Sequence, residues 1–86
     1  MNNSIKDIDK GLFDLLCKVI SKNRITSINQ IITTAAIDGY SEPIVRDALQ
    51  TLVDNDMIST LEHTFSYGSK TQNFAINPKF DRFCQQ

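Results

Sequence analysis

Two polar side chains one helical turn apart, Arg46 and Gln50, are the residues of this chain best suited to contact nucleic-acid bases. They lie in SEPIVRDALQTLVDNDMI, residues 41–58, where apolar residues recur at helical spacing. If that helix reads DNA, arginine can donate to a guanine edge or a phosphate, and glutamine can pair with adenine. The same segment carries acidic residues that oppose contact with phosphate, namely Glu42, Asp47, Asp54 and Asp56.

Catalytic and metal chemistry are poorly matched by the residue pattern. The single histidine, His63, lies in an alternating segment where packing or a plain hydrogen bond accounts for it. The chain has no Cys, His or paired carboxylates at metal-ligand spacing, and no Gly-rich phosphate-binding loop. We therefore expect no catalytic residue, no metal and no other cofactor, and we do not expect an enzyme.

The composition indicates one small domain that spans residues 1–86. The hydrophobic content of 41 % is enough for one core, and the length leaves no room for a second. The net charge of −1 lacks the basic excess that is usual in nucleic-acid binders, so a basic face would require uneven placement of charges. The sequence contains no long apolar run and begins without an apolar leader, so we expect a cytoplasmic protein that does not contact a membrane.

The two cysteines, Cys17 and Cys84, lie far apart in the sequence and lack metal-binding spacing. Free thiols in a cytosolic protein are the simplest account of such a pair. A disulfide that joins the first helix to the C-terminal tail is the alternative.

Helical periodicity predicts a first helix from about residue 8 to residue 22, after a frayed segment 1–6. Its apolar stripe consists of Ile5, Ile8, Leu12, Leu15, Leu16 and Val19, and is widened on one flank by Phe13, Cys17 and Ile20. The widened flank requires a partner beyond the central core. That partner is either the C-terminal tail, residues 78–86, or a second copy of the chain.

Capping signals predict two further helices. Ser27 and Gln30 form a capping box for the second, and Gly39 suits the left-handed residue that follows a helix. Ser41 is expected to cap the third helix, with Pro43 in its first turn. The second helix is expected to bury Ile28, Ile31, Ile32, Ala35 and Ala36. The third is expected to bury Val45, Ala48, Leu49 and Leu52, with Pro43, Asp47, Gln50, Thr51 and Asp54 on the opposite arc.

The period changes to that of a strand after Ile58. Alternation over residues 59–77 predicts a β-hairpin with a turn at Gly68-Ser69-Lys70. Residues 24–26 are expected to add a short strand. The tail is expected to form a helical turn in which Phe80 and Phe83 face inward.

This order of elements resembles that of the winged helix-turn-helix domain. The specific part is Gly39-Tyr40-Ser41 followed by Val45-Arg46-x-Ala48-Leu49-x-x-Leu52, which is similar to the recognition helix of GntR-type regulators. The resemblance covers about residues 8–77. It implies an α+β winged-helix fold and a DNA-binding transcriptional regulator, with the third helix in the major groove and the hairpin as wing. The chain departs from the family pattern at Asp38, at Glu42 and Pro43, and at a wing with only Lys70 as a basic residue.

The resemblance also implies where double-stranded DNA would be contacted. The expected contacts are Ser41, Glu42, Arg46 and Gln50 on the third helix, Lys22, Arg24, Asn29 and Gln30 near the start of the second, and Lys70 and Gln72 on the hairpin. Only roughly four of these residues can neutralise phosphate, so one subunit would bind weakly. A homodimer on two half-sites would bind better. Its expected interface is Phe13, Cys17, Ile20, Phe80 and Phe83.

A protein–protein interaction module that does not bind DNA is the alternative function, because winged helices also serve that role. It would use the acidic third helix or the apolar flank of the first helix to bind a protein partner. The location of charge discriminates the two functions. Convergence of the basic residues on one face favours DNA, and dominance of acids around the third helix favours a protein partner.

Overall fold

A computed structural model describes residues 4–64 and 70–85, without the side chains of residues 61–64 and 70–72. In those ranges the chain is α+β, as expected, with four α-helices and one two-stranded antiparallel sheet. The elements in chain order are α1 (Lys10–Leu16), α2 (Ile28–Ile37), α3 (Glu42–Asp54), β1 (Ile58–Thr64), β2 (Lys70–Ile76) and α4 (Pro78–Cys84). None of the helices in the described ranges combines the length and the apolar character needed to cross a bilayer.

The first helix begins two residues later than predicted and changes type along its length. Asp9 caps α1, since its carboxylate accepts from the Leu12 backbone N–H at 3.1 Å. A π-helix, Cys17–Lys22, continues α1 without a break. Of the predicted frayed segment 1–6, residues 4–6 are instead ordered, because Ser4 and Asp7 form a capping box around a 3-10 helix, Ile5–Asp7.

Gly39, in the turn between α2 and α3, has the left-handed conformation that was predicted. Gly39 has φ of +93°, and the Tyr40 N–H donates to the Ala35 carbonyl at 3.1 Å, which closes the end of α2. At the other end of α2, the Ser27 hydroxyl accepts from the Gln30 N–H at 3.4 Å, which forms one half of the predicted capping box. Ser41 occupies the N-cap position of α3, but its side chain makes no capping hydrogen bond there.

Tyr40 ties this turn to the start of α1. Its hydroxyl donates to the Asp9 carboxylate, with 3.1 Å between the oxygens. Loss of hydration raises the pKa of Tyr40, and the hydrogen bond and negative charge of Asp9 raise it further. The hydrogen bond therefore fixes the turn before α3 relative to the start of α1.

The core contains the predicted face of α3, with two corrections to the expected burial. Val45, Ala48, Leu49 and Leu52 are all at most 5 % exposed. Thr51 was expected on the outer arc but is only 3 % exposed, because its hydroxyl donates to the Asp47 carbonyl and is satisfied without water. Ala36 was expected inside and is exposed.

The hairpin forms with the strands in register from Ile58 opposite Ile76 to Thr64 opposite Lys70. The predicted short strand at residues 24–26 is reduced to a single bridge between Ser27 and Asn73. The physical reason is the left-handed backbone of Arg24, with φ of +57°, which interrupts extended structure. The predicted turn at Gly68 and Ser69 lies outside the described residues, and Lys70 is already the first residue of β2.

The C-terminal tail forms α4, which covers the flank of the first helix. Phe80 is fully buried, and Phe13 meets the rings of Phe80 and Phe83 edge-on at 6.3 and 5.7 Å between centroids. Cys17 and Cys84 form a disulfide, so the prediction of free thiols is wrong. The reason is the direction of α4, which brings the two Cα atoms to 5.6 Å, within the range that a disulfide spans.

Candidate nucleic-acid interface

The exposed face of α3 borders an open groove between that helix and the sheet. The groove has a volume of about 460 Å³, and its lining residues are Ile28, Arg46, Asp47, Leu49, Gln50, Val53, Ile58, Thr60 and Phe74. Arg46 and Gln50 lie on the same helix face one turn apart, as the sequence predicted. Leu49 packs into the core at the base of the groove, and Arg46 and Gln50 flank it on the exposed side of α3.

Acidic residues on the same helix hold both side chains. The Arg46 Nε donates to Glu42 at 2.8 Å, and the Gln50 side-chain amide donates to Asp54 at 2.9 Å. Asp47 is exposed between them. The outer face of α3 therefore carries three carboxylates and one guanidinium.

The two hydrogen-bonded pairs on α3 are weak compared with a contact between a side chain and a base. Exposed pairs at i, i+4 typically stabilise a helix by ~0.3–0.5 kcal/mol. A bidentate contact to a base is worth ~1–3 kcal/mol of discrimination. If α3 contacts DNA, a base contact of this strength would be enough to displace Glu42 from Arg46, although the carboxylate would stay nearby and repel phosphate.

Arg24, which was expected to contact phosphate, forms an ion pair with Asp81 in the structure. Its guanidinium donates to both carboxylate oxygens of Asp81 on α4 at 3.1 Å. The Ser21 hydroxyl donates to the same carboxylate at 2.6 Å, and this bond is the main cause that lowers the pKa of Asp81. The Arg24 charge lowers it further, while desolvation opposes both effects.

Lys22 lines a second groove together with Arg24, and Arg46 does not line it. The basic residues predicted for DNA are thus divided between two grooves. The side chains of Lys70 and Gln72 lie outside the described part of the chain, so their expected contacts stay predictions. The backbone places both residues on β2.

The remaining predicted contacts lie at the two helix starts. Asn29 and Gln30 are exposed in the first turn of α2, next to the partly buried cap residue Ser27. Ser41 and Glu42 are exposed at the start of α3. The exposed polar groups at the starts of α2 and α3 are therefore accessible to a ligand.

The residues predicted for a dimer interface make contacts within one chain. Ile20 and Phe80 are fully buried, and Phe13, Cys17 and Phe83 are half-buried against the core. Two partners were considered for the apolar flank of the first helix, and in the structure the chain's own tail packs against it. A dimer through these side chains stays a prediction that requires α4 to move.

Sequence reasoning missed the Ser21–Asp81–Arg24 cluster. Asp81 is 60 residues from Ser21 and 57 from Arg24, so the contact cannot be predicted from local sequence spacing. The acidic partners of Arg46 and Gln50 could be predicted from the sequence. Glu42 lies four residues before Arg46, and Asp54 lies four residues after Gln50.

No protein-family model and no curated protein matches this chain. Within residues 4–64 and 70–85, no three His, Cys, Asp or Glu side chains are grouped to hold a metal ion. The candidate site is therefore defined by its own residues, above all by the open face of α3.

Proposed function

We propose that this chain is a small winged-helix DNA-binding transcriptional regulator, with α3 in the major groove and the hairpin of residues 59–77 as wing. One observation carries the proposal. α3 buries its apolar face in the core and leaves Arg46 and Gln50 on the open side, next to the sheet. Those two side chains have the donors and acceptors that read base edges, and a helix fits the width of the major groove.

The connections around α3 support the same proposal. Four residues, 38–41, join α2 to α3, and Gly39 and the Tyr40–Asp9 hydrogen bond fix their path. The bridge between Ser27 and Asn73 attaches the start of α2 to the hairpin. A reading helix and a wing held on one rigid unit would approach DNA together.

The charge distribution implies weak, salt-sensitive binding by one protomer. Arg24 is engaged by Asp81, so roughly three of the four basic residues in the predicted contact set remain to neutralise phosphate. A homodimer on two half-sites would double the number of contacts. Because α4 covers the flank of the first helix, such a dimer would use another surface or displace α4.

A protein–protein interaction module is the second candidate, and the acidic face of α3 favours it. Glu42, Asp47 and Asp54 outnumber Arg46 on that face. A protein partner for this face would be basic, since opposite charges steer association. Such a partner would replace DNA at the same surface.

Selection from a random duplex library, followed by affinity measurement, tests the proposal. Arg46→Ala should weaken binding to the selected sequence by ~1–3 kcal/mol and relax the preference at one base position. Arg82→Ala removes the same charge from an exposed position on α4 and serves as the matched control. Equal losses in the two variants would remove α3 as the reading helix, and failure to enrich any sequence would favour the protein module.

A further inference from the structure

The Cys17–Cys84 disulfide lies in the wall of an open groove on the α4 side of the molecule. The groove has a volume of about 530 Å³ and is lined by Cys17, Lys18, Ser21, Lys22, Arg24, Asp81, Cys84 and Gln85. Both cysteines are half-buried, and both line the groove. A small molecule in this groove would therefore contact the two disulfide-bonded residues.

The groove is electropositive. Among the described residues that line it, Asp81 carries the only carboxylate, and Ser21 and Arg24 already donate to that carboxylate. Lys18 and Lys22 are exposed and have no carboxylate partner among the residues that the structure describes. Neighbouring cations attract anionic molecules and stabilise a thiolate over a thiol.

The two sulfurs differ in their surroundings. Cys84 is the last residue of α4 and is followed by the exposed Gln85. Cys17 lies inside a continuous helix, at the junction of α1 and the π-helix, and is adjacent in sequence to Lys18. Cys84 is therefore the more open to attack, and Cys17 is the better placed to leave as a thiolate.

We propose that this groove is a thiol–disulfide exchange site for a small anionic thiol that carries carboxylates. The thiolate of the small molecule attacks Sγ of Cys84 and forms a mixed disulfide. The Sγ–Sγ bond breaks, and its electron pair goes to Sγ of Cys17, which leaves as a thiolate next to Lys18. A second small thiolate attacks the small-molecule sulfur of the mixed disulfide and releases Cys84 as a thiolate. Two small thiols are thus oxidised to one disulfide, and the protein disulfide is reduced to two thiols.

Reduction kinetics of the full chain test this site with two reagents. Glutathione is the anionic thiol, 2-mercaptoethanol is the neutral one, and intact mass after acid quench gives the rates. The double variant Lys18→Gln/Lys22→Gln should react roughly three- to ten-fold more slowly with glutathione and less than about two-fold more slowly with 2-mercaptoethanol. The control Lys6→Gln/Lys10→Gln removes two exposed lysines outside the groove and should react like the wild type.

Peptide mapping of the trapped mixed disulfide tests the direction of attack. Glutathione attached to Cys84 is the expected result, and attachment to Cys17 would overturn the assigned direction. Equal glutathione rates in the groove variant and the wild type would overturn the site itself. Reduction that occurs only in urea would do the same, because it would show that the folded groove does not admit the thiol. Circular dichroism of each variant verifies that the fold is retained.

Discussion

The Arg46 guanidinium donates a hydrogen bond to the Glu42 carboxylate across one turn of α3, with 2.8 Å between Nε and Oε2. Both side chains are about half exposed, at 45 % and 56 %, so water and salt screen the pair. If α3 reads DNA, Glu42 holds Arg46 in the unbound protein and repels phosphate in the complex. Glu42 is therefore a restraint on binding as well as a partner of Arg46.

Glu42→Gln should tighten binding of duplex DNA about three- to ten-fold, because it removes a negative charge close to the phosphates and next to Arg46. The measurement is a fluorescence-anisotropy titration at fixed salt. Asp14→Asn makes the same change of net charge at an exposed position of α1 and should alter affinity much less. Equal gains in the two variants would mean that only net charge matters and that α3 does not face the DNA.

Leu49→Ala should lower the free energy of unfolding by ~2–5 kcal/mol, because Leu49 is 5 % exposed and its truncation leaves a cavity. Ile44→Ala is the matched control on the same helix, since Ile44 is 51 % exposed. Urea unfolding followed by circular dichroism gives both values. A loss for Leu49→Ala as small as that for Ile44→Ala would contradict the way in which α3 is packed.

Reduction of the Cys17–Cys84 disulfide should destabilise the domain by about 4 kcal/mol in the loop-entropy account, because the bond closes a loop between residues 67 apart. Urea unfolding with and without a strong reductant measures the difference. The variant Cys84→Ser should be as stable as the reduced wild type and should not respond to reductant. Identical midpoints for oxidised and reduced wild type would show that the bond does not constrain the chain.

Stability at acid pH should depend on Asp81. The hydrogen bond from Ser21, helped by Arg24, lowers the pKa of Asp81 in the folded state below that of the unfolded chain, about 3.9. The contribution of the carboxylate is therefore present above that pH and is lost as the pH falls through the folded-state pKa. The wild type should be more stable than Asp81→Asn near neutral pH, and the difference should shrink as the pH falls below about 3.9, the unfolded-chain value. Urea midpoints across this range give the test, and a difference independent of pH would contradict it.

Much of α3 could be predicted from the sequence, because its signals are local. The 3.6-residue period selects Val45 and Leu49 for the core, and that placement leaves Arg46 and Gln50 outside. Gly39 marks the end of α2, because a positive φ there favours a residue without a Cβ. A period cannot account for Thr51, a polar residue that is buried because its hydroxyl donates to a carbonyl one turn earlier.

Two features depend on where α4 lies: the disulfide, which the sequence left open as the alternative to free thiols, and the contact of Asp81 with Arg24, which sequence reasoning missed. The disulfide joins Cys17 to Cys84, and Asp81 meets Arg24, at sequence separations of 67 and 57 residues. Neither contact follows from local spacing, because both require the tail to run back along the π-helix. The ion pair of Arg24 could not be foreseen for the same reason, since its carboxylate partner, Asp81, lies in that tail.

The most direct test of DNA binding is an anisotropy titration of the full chain against a mixed-sequence duplex at about 50 and 200 mM salt, with molar mass measured by light scattering. If the chain binds DNA as proposed, it should bind at low salt and more weakly at the higher salt, with the shallow salt dependence that few phosphate contacts give. The slope of log K against log salt should be about −3 per protomer, as expected for the few basic groups available. Absence of binding at low salt would contradict the proposed DNA binding, because it would remove the phosphate attraction that such binding requires, and would favour a protein partner for the acidic face of α3.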